Sequence, residues 1–141
     1  MDIKFFIELL IRLQLAYIFI PAGWHKLVAG QEKWLWLGNQ MQNFGIYFWP
    51  VAWGFAASCT EFLGGIAMLL GLGIRVAGLF MICVMIVALR MHFLHKDPWR
   101  VWLLPFSLLC LLIFLMYTGA GKFSLDYYLT QWMNGNTMDQ R

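Results

Sequence analysis

Hydrophobic residues in this chain come in long runs, not in the one-sided stripes of a water-soluble domain. Four runs, at about residues 3–22, 48–70, 74–94 and 99–118, are each long enough to cross a hydrocarbon core of about 30 Å, which takes roughly 20 helical residues. Between the first two lies LVAGQEKWLWLGNQMQNFGIYFWP, which is too polar to cross. Within it Trp34, Leu37, Met41 and Phe44 recur at steps of three and four, with Glu32, Lys33, Gln40 and Gln42 off that stripe. The pattern predicts an amphipathic segment over 27–47 lying on the membrane surface, with Trp34, Trp36, Tyr47 and Trp49 at headgroup level. The alternative is that the same segment is a lid over a cavity. Pro21 and Pro50 mark expected helix edges, and Pro105 a kink or an early-turn residue in the last run. The expected architecture is an all-α membrane protein, one domain over 1–141, built as a four-helix transmembrane bundle with an interfacial helix between spans 1 and 2. Four crossings put both termini on one face, here side A, opposite side B.

Polar residues inside these runs share helix faces. Arg12, Ala16, Phe19, Gly23 and Lys26 follow one another at steps of four and three, as do Glu61, Gly64, Met68, Gly71 and Arg75, with Gly65 beside them. Each set lies on one side of its helix. A charged face cannot be turned to lipid, and small residues at that spacing let backbones approach closely. Glu61 is the sharpest anomaly, because an unpaired carboxylate in hydrocarbon costs several kcal/mol. Arg12 lies about 14 Å from side A if its helix enters at Ile3, and Glu61 about 16 Å if its helix leaves at Leu72. The matching depth predicts an Arg12–Glu61 ion pair, since a guanidinium stays charged and can hold a carboxylate through two hydrogen bonds. The competing expectation is that Arg12 snorkels to side A and Glu61 is protonated.

Composition agrees with lipid as the solvent. The chain is 62% hydrophobic and 12% charged, about half the charged fraction of a soluble domain. A net charge of +3, thinly spread, argues against a nucleic-acid partner. Lys26, Lys33, Arg90, Lys96 and Arg100 fall near side B and Lys4, Arg75, Lys122 and Arg141 near side A. That five-to-four tally only slightly favours side B as cytoplasmic and leaves orientation open. Cys59, Cys83 and Cys110 sit singly in apolar runs with no CxxC pair, which reads as packing rather than thiol chemistry. The first run is interrupted by Glu8, Arg12 and Gln14 and lacks a small-x-small cleavage site, so it reads as a retained span and not a signal peptide.

Two polar clusters mark the ends. On side A, Arg75 begins the third run, and Lys122, Ser124 and Asp126 follow the fourth in GAGKFSLD. Ser124 or Asp126 can cap a short C-terminal helix anchored by Tyr127, Tyr128 and Trp132; the sharper reading makes the cluster a polar mouth for a ligand or partner. On side B, His25 and Lys26 end the first run, and Arg90, His92 and His95 the third. Nothing there supplies the ligand spacing of a zinc or copper site, so no metal is expected. Hydrogen-bonded interfacial histidines, with a proton-transfer or quinone-carbonyl contact as the intermediate reading, fit better.

Three of these stretches together resemble a known family. RLQLAYIFIPAGWHKL is similar to the first-helix signature of the DoxX family, EFLGGIAMLLGLGIRVAG to its glutamate, paired glycines and arginine, and GAGKFSLD to its glycine-rich close; the motifs span residues 9–127 in order. The resemblance implies a four-helix integral protein of a bacterial inner membrane, with Arg12, Gly23, Lys26, Glu61, Gly64, Arg75, Ser124 and Asp126 as motif positions. It also implies a loose functional link, because the family takes its name from a small subunit associated with a thiosulfate:quinone oxidoreductase. Likeness to quinone-coupled thiol oxidases does not carry over, since those use cysteine pairs that this chain lacks.

The chain has no haem-binding CxxCH and no flavin or dinucleotide loop, so it carries no autonomous catalytic motif and electrons would come from a partner or a bound quinone. The favoured expectation is a membrane subunit or anchor of a quinone-linked redox assembly, with Arg12, Lys26, Glu61 and His92 supplying the polar contacts of an apolar slot. The alternatives are a non-enzymatic assembly or chaperone module, and a small transporter built on Glu61. Besides the lipid bilayer, the partners expected are an oxidoreductase or further copies of the chain.

Overall fold

The computed structural model describes residues 3–119, 121 and 124–138, and among these every regular element is helical. The order is α1 (Ile3–Val28), α2 (Gln31–Gly38), a 3₁₀ segment (Asn39–Phe44), α3 (Pro50–Leu70), α4 (Ile74–Leu94), α5 (Trp99–Thr118) and α6 (Leu125–Met138). Helices α3, α4 and α5 are long and apolar enough to cross a membrane. The chain is thus an integral membrane protein by its helices, and large side chains such as Leu63, Val76, Phe80, Leu104 and Ile113 are exposed around the outside, where lipid is the solvent that suits them.

The core lies where α1, α3, α4 and α5 meet. It is made of Leu15, Ala16 and Phe19 from α1, Met68 from α3, Ile74, Met81 and Met85 from α4, and Leu108, Leu112 and Leu115 from α5. The two polar faces read from the sequence point into this interior. Arg12, Ala16, Phe19 and Gly23 are buried on α1, and Glu61, Gly64, Gly65 and Met68 on α3. Small residues set the helix spacing there. A Cβ on Gly23 would stand 2.4 Å from the backbone nitrogen of Phe62, and one on Gly65 2.8 Å from Ile20, so α1 and α3 touch backbone to backbone.

Two sequence expectations change. Pro21 lies inside α1 and does not end it. Proline removes a single donor from the ladder, and Phe19 and Gly23 on either side of it are buried against the bundle, so the helix runs on to Val28. The amphipathic segment also divides into two elements, since the α-helix stops at Gly38 and tightens into the 3₁₀ segment.

The side-A end is closed by a turn and a strap. Gly71 and Gly73 take left-handed φ values of 71° and 57° between α3 and α4, a conformation in which a Cβ is penalised. Asp126 accepts from the Gly73 N–H at 3.0 Å and its own N–H reaches the Gly71 carbonyl at 3.2 Å, tying α6 to that turn. Ser124 is the helix cap, its hydroxyl accepting from the Tyr127 N–H at 3.2 Å. Ser124→Ala should therefore cost about 1 kcal/mol, seen as faster hydrogen exchange in the first turn of α6 with the core amides unchanged.

Candidate functional site

Toward side B the space between α3 and α4 is not filled. Small residues face each other there, Ala56, Ala57 and Thr60 on α3 against Cys83, Val84, Val87 and Ala88 on α4, and together they wall a cavity of about 450 Å³. Leu37, Gln40 and Met41 roof it, while Trp36, Trp53 and Phe80 add aromatic walls. Phe80 and Cys83 are also exposed on the outer surface. Both stand on α4, which with α3 is long and apolar enough to cross a membrane.

At its inner end sits an ion pair. Lys26, from the last turn of α1, donates to Glu61 Oε2 at 2.5 Å; the carboxylate side chain is 4% exposed and the lysine 27%. Glu61 is thus held by a cation, as a charge in this setting requires, but the cation is not the one expected. The predicted Arg12–Glu61 pair does not form. Arg12 lies at the far end of α3, donating through Nε to the Met68 carbonyl at 3.0 Å and through Nη2 to the Leu69 carbonyl at 3.3 Å. Those are carbonyls of the last helical turn, where a positive charge complements the helix dipole.

The reason is an axial offset. Depth counting placed the ends of α1 and α3 level on side A, yet Gly23 meets Phe62 and Arg12 meets Gly71, so α1 overhangs the end of α3 by about ten residues, or ~15 Å. The overhang packs against the strap after α5, where a Cβ on Gly121 would meet Glu8 Oε2 at 2.5 Å. Glu8 itself is 1% exposed, and among the described residues neither of its oxygens is hydrogen-bonded, Lys4 lying 4.0 Å away. Its place as a buried carboxylate was not read from the sequence; its spacing of four from Arg12 was the available signal.

The roof is clamped, not loose. A Cβ on Gly38 would stand 1.6 Å from the Pro50 carbonyl oxygen, and one on Gly54 1.7 Å from that of Trp34, so α2 lies directly on the start of α3. Trp34 donates to the Lys26 carbonyl at 3.0 Å and stacks edge-on against Phe55, which positions the end of α1 and with it the ammonium. On the other side, Arg90 donates to the Asn43 carbonyl at 2.9 Å and lies over the Phe44 ring, fastening the 3₁₀ segment to α4.

Three of the four candidate slot residues, Lys26, Glu61 and His92, line this cavity and Arg12 does not. His92 is oriented by Asp97 at 2.8 Å, a partner that sequence reasoning did not assign, although a spacing of five across a helix end was visible. Among the described residues no group of three metal-ligating side chains forms. On side A, Arg75, Ser124 and Asp126 line a separate cavity of about 410 Å³; Lys122 lies outside the described residues. Of the cysteines, Cys83 lines the main cavity and Cys110 faces outward, so neither is the buried packing residue expected.

A sequence model of the DoxX family matches residues 7–96, a stretch that contains all but the first turn of α1, all of α2 to α4, and every lining residue of the main cavity. No curated protein and no solved structure matches the chain significantly.

Proposed function

This chain belongs to the DoxX family, and on that premise we propose that it is the membrane subunit of a quinone-linked redox assembly, holding a lipophilic ring in the cavity between α3 and α4 for a partner oxidoreductase. One observation carries this reading. A largely apolar cavity of about 450 Å³ between two helices long and apolar enough to cross a membrane is lined at one side by a Lys26–Glu61 pair, which is the combination of apolar walls and few polar contacts that a ring with polar substituents needs. The chain supplies binding and orientation, and the partner supplies the electrons. His92, fixed by Asp97 at the side-B end, is the group placed to pass a proton between cavity and water.

The same reading assigns the membrane arrangement. Helix α1 is the fourth crossing, because Glu8 and Arg12 point inward while Ile7, Leu10, Leu13 and Tyr17 on its other side are exposed and apolar enough for lipid. Helix α2 and the 3₁₀ segment lie at the side-B interface of a bacterial inner membrane, with Trp36, Tyr47 and Trp49 exposed at headgroup level.

Cys83 provides the test. In protein carrying Cys59→Ala and Cys110→Ala, tetramethylbenzoquinone, whose fully substituted ring resists thiol addition, should slow alkylation of Cys83 by a membrane-permeant maleimide in a saturable and reversible way and raise the thermal midpoint. No protection and no thermal shift with either the quinone or its hydroquinone at any concentration would defeat the ring-binding reading. Purification in mild detergent that never retains an oxidoreductase would defeat the subunit reading.

A further inference from the structure

The hydrogen bonding of Glu61 narrows the ligand further, on the premise that the cavity binds a ring at all. Glu61 is 3% exposed and lines the cavity. Its Oε2 accepts from Lys26, whereas among the described residues Oε1 accepts no hydrogen bond, and it is not one of the sealed, unsatisfied atoms of the interior. With so little surface and a cavity beside it, that oxygen opens into the cavity. A buried carboxylate oxygen there accepts and cannot donate, so it calls for an O–H or N–H on the ligand and is itself left unpaired by a bare carbonyl. The lysine uses one of its three N–H donors on Glu61, so another can reach the same ligand atom.

Charge decides between the donors. Lys26 and Lys33 line the cavity with one carboxylate, Glu61, and Lys33 lies over the Trp36 ring 4.3 Å from its centroid. A lipophilic cation would meet surplus positive charge and an aromatic face already occupied by an ammonium. A neutral, weakly acidic hydroxyl meets neither obstacle. Its proton goes to Glu61 Oε1 and its oxygen accepts from Lys26.

We propose that the site selects a hydroxylated aromatic head, a phenol or hydroquinone, over the oxidised dicarbonyl form of the same ring, with Glu61 as the residue that reads the hydroxyl. Three probes of one shape separate the possibilities in the full-length protein: tetramethylhydroquinone kept reduced under anaerobic conditions, tetramethylbenzoquinone, and the dimethyl ether of the hydroquinone. Protection of Cys83 against alkylation gives each affinity. The hydroquinone should bind about tenfold more tightly than the ether or the quinone, the discrimination expected when a buried polar group is left unpaired. In Glu61→Gln, whose amide can donate to a carbonyl, the preference should vanish or reverse; a preference that survives this change would overturn the role of Glu61. Quinone binding equal to or tighter than hydroquinone binding in the wild type would overturn the selectivity and leave ring binding intact. Protection by none of the three would overturn both, and these wild-type comparisons hold even if the variant fails to fold.

Discussion

Lys26→Met should destabilise the protein by about 3–5 kcal/mol, the cost of leaving a buried charge without its partner. The stranded group is Glu61, whose side chain is 4% exposed against 27% for Lys26. The asymmetry predicts an order. Glu61→Gln should cost less, because the lysine left behind can lean toward side B and water. Replacing both, as Lys26→Met with Glu61→Leu, should be near neutral for folding while abolishing hydroquinone protection of Cys83. A double-mutant cycle by thermal unfolding in detergent checks the pairing directly. Lys26 and Glu61 should couple strongly, whereas Arg12→Met and Glu61→Gln should add to within about 0.5 kcal/mol, since they act at opposite ends of α3. Coupling of Arg12, and not Lys26, to Glu61 would show that the axial offset of α1 is wrong.

The second large effect concerns the roof. Gly38→Ala and Gly54→Ala each put a methyl group inside a backbone carbonyl of the facing element, 1.6 Å from that of Pro50 and 1.7 Å from that of Trp34. Neither neighbour is a side-chain tip that can turn aside, so α2 must lift from α3. Each change should cost about 3 kcal/mol, the upper range for overpacking. The lifted helix should expose the α1–α3 connection to limited proteolysis and speed alkylation of Cys83. Gly45 has open space around the position of a Cβ and differs only in its left-handed conformation, so Gly45→Ala should cost about 1–2 kcal/mol and leave Cys83 reactivity unchanged. A roof that moves as a free lid would tolerate Gly38→Ala as readily as Gly45→Ala.

Much of the candidate site was legible one helix at a time. The steps of three and four that group Arg12, Ala16, Phe19 and Gly23, or Glu61, Gly64 and Met68, are properties of a single helix and survive folding unchanged. The resemblance to DoxX proteins was legible for the same reason, since each motif is a local string. The partner of Glu61 was not. Arg12 and Lys26 lie on one face of α1, fourteen positions apart and therefore about 21 Å along the axis, and both satisfy the face argument equally. Only the sliding of α1 along α3 chooses between them. That offset is set by where Gly23 and Gly65 allow backbone contact and by the strap around Glu8 and Gly121, which involve residues far apart in the chain.

The cavity shows the same division. Ala56, Ala57 and Thr60, and Cys83, Val84, Val87 and Ala88, can be read from the chain as small residues on two helices. Whether small residues draw helices together or leave a void depends on what else holds those helices. Near side A, Gly64 meets Met81 in tight contact; near side B, the clamped roof and the Arg90 bond to Asn43 hold the elements so that small side chains face one another across open space. The sequence by itself determined an all-helical membrane protein of the DoxX family and the inward faces of its helices, because hydrophobicity and periodicity are local. Tertiary structure alone decided that Lys26 holds Glu61, that Arg12 caps α3 instead, and that a largely apolar cavity lies beside the pair, because axial register and unfilled volume belong to no single segment.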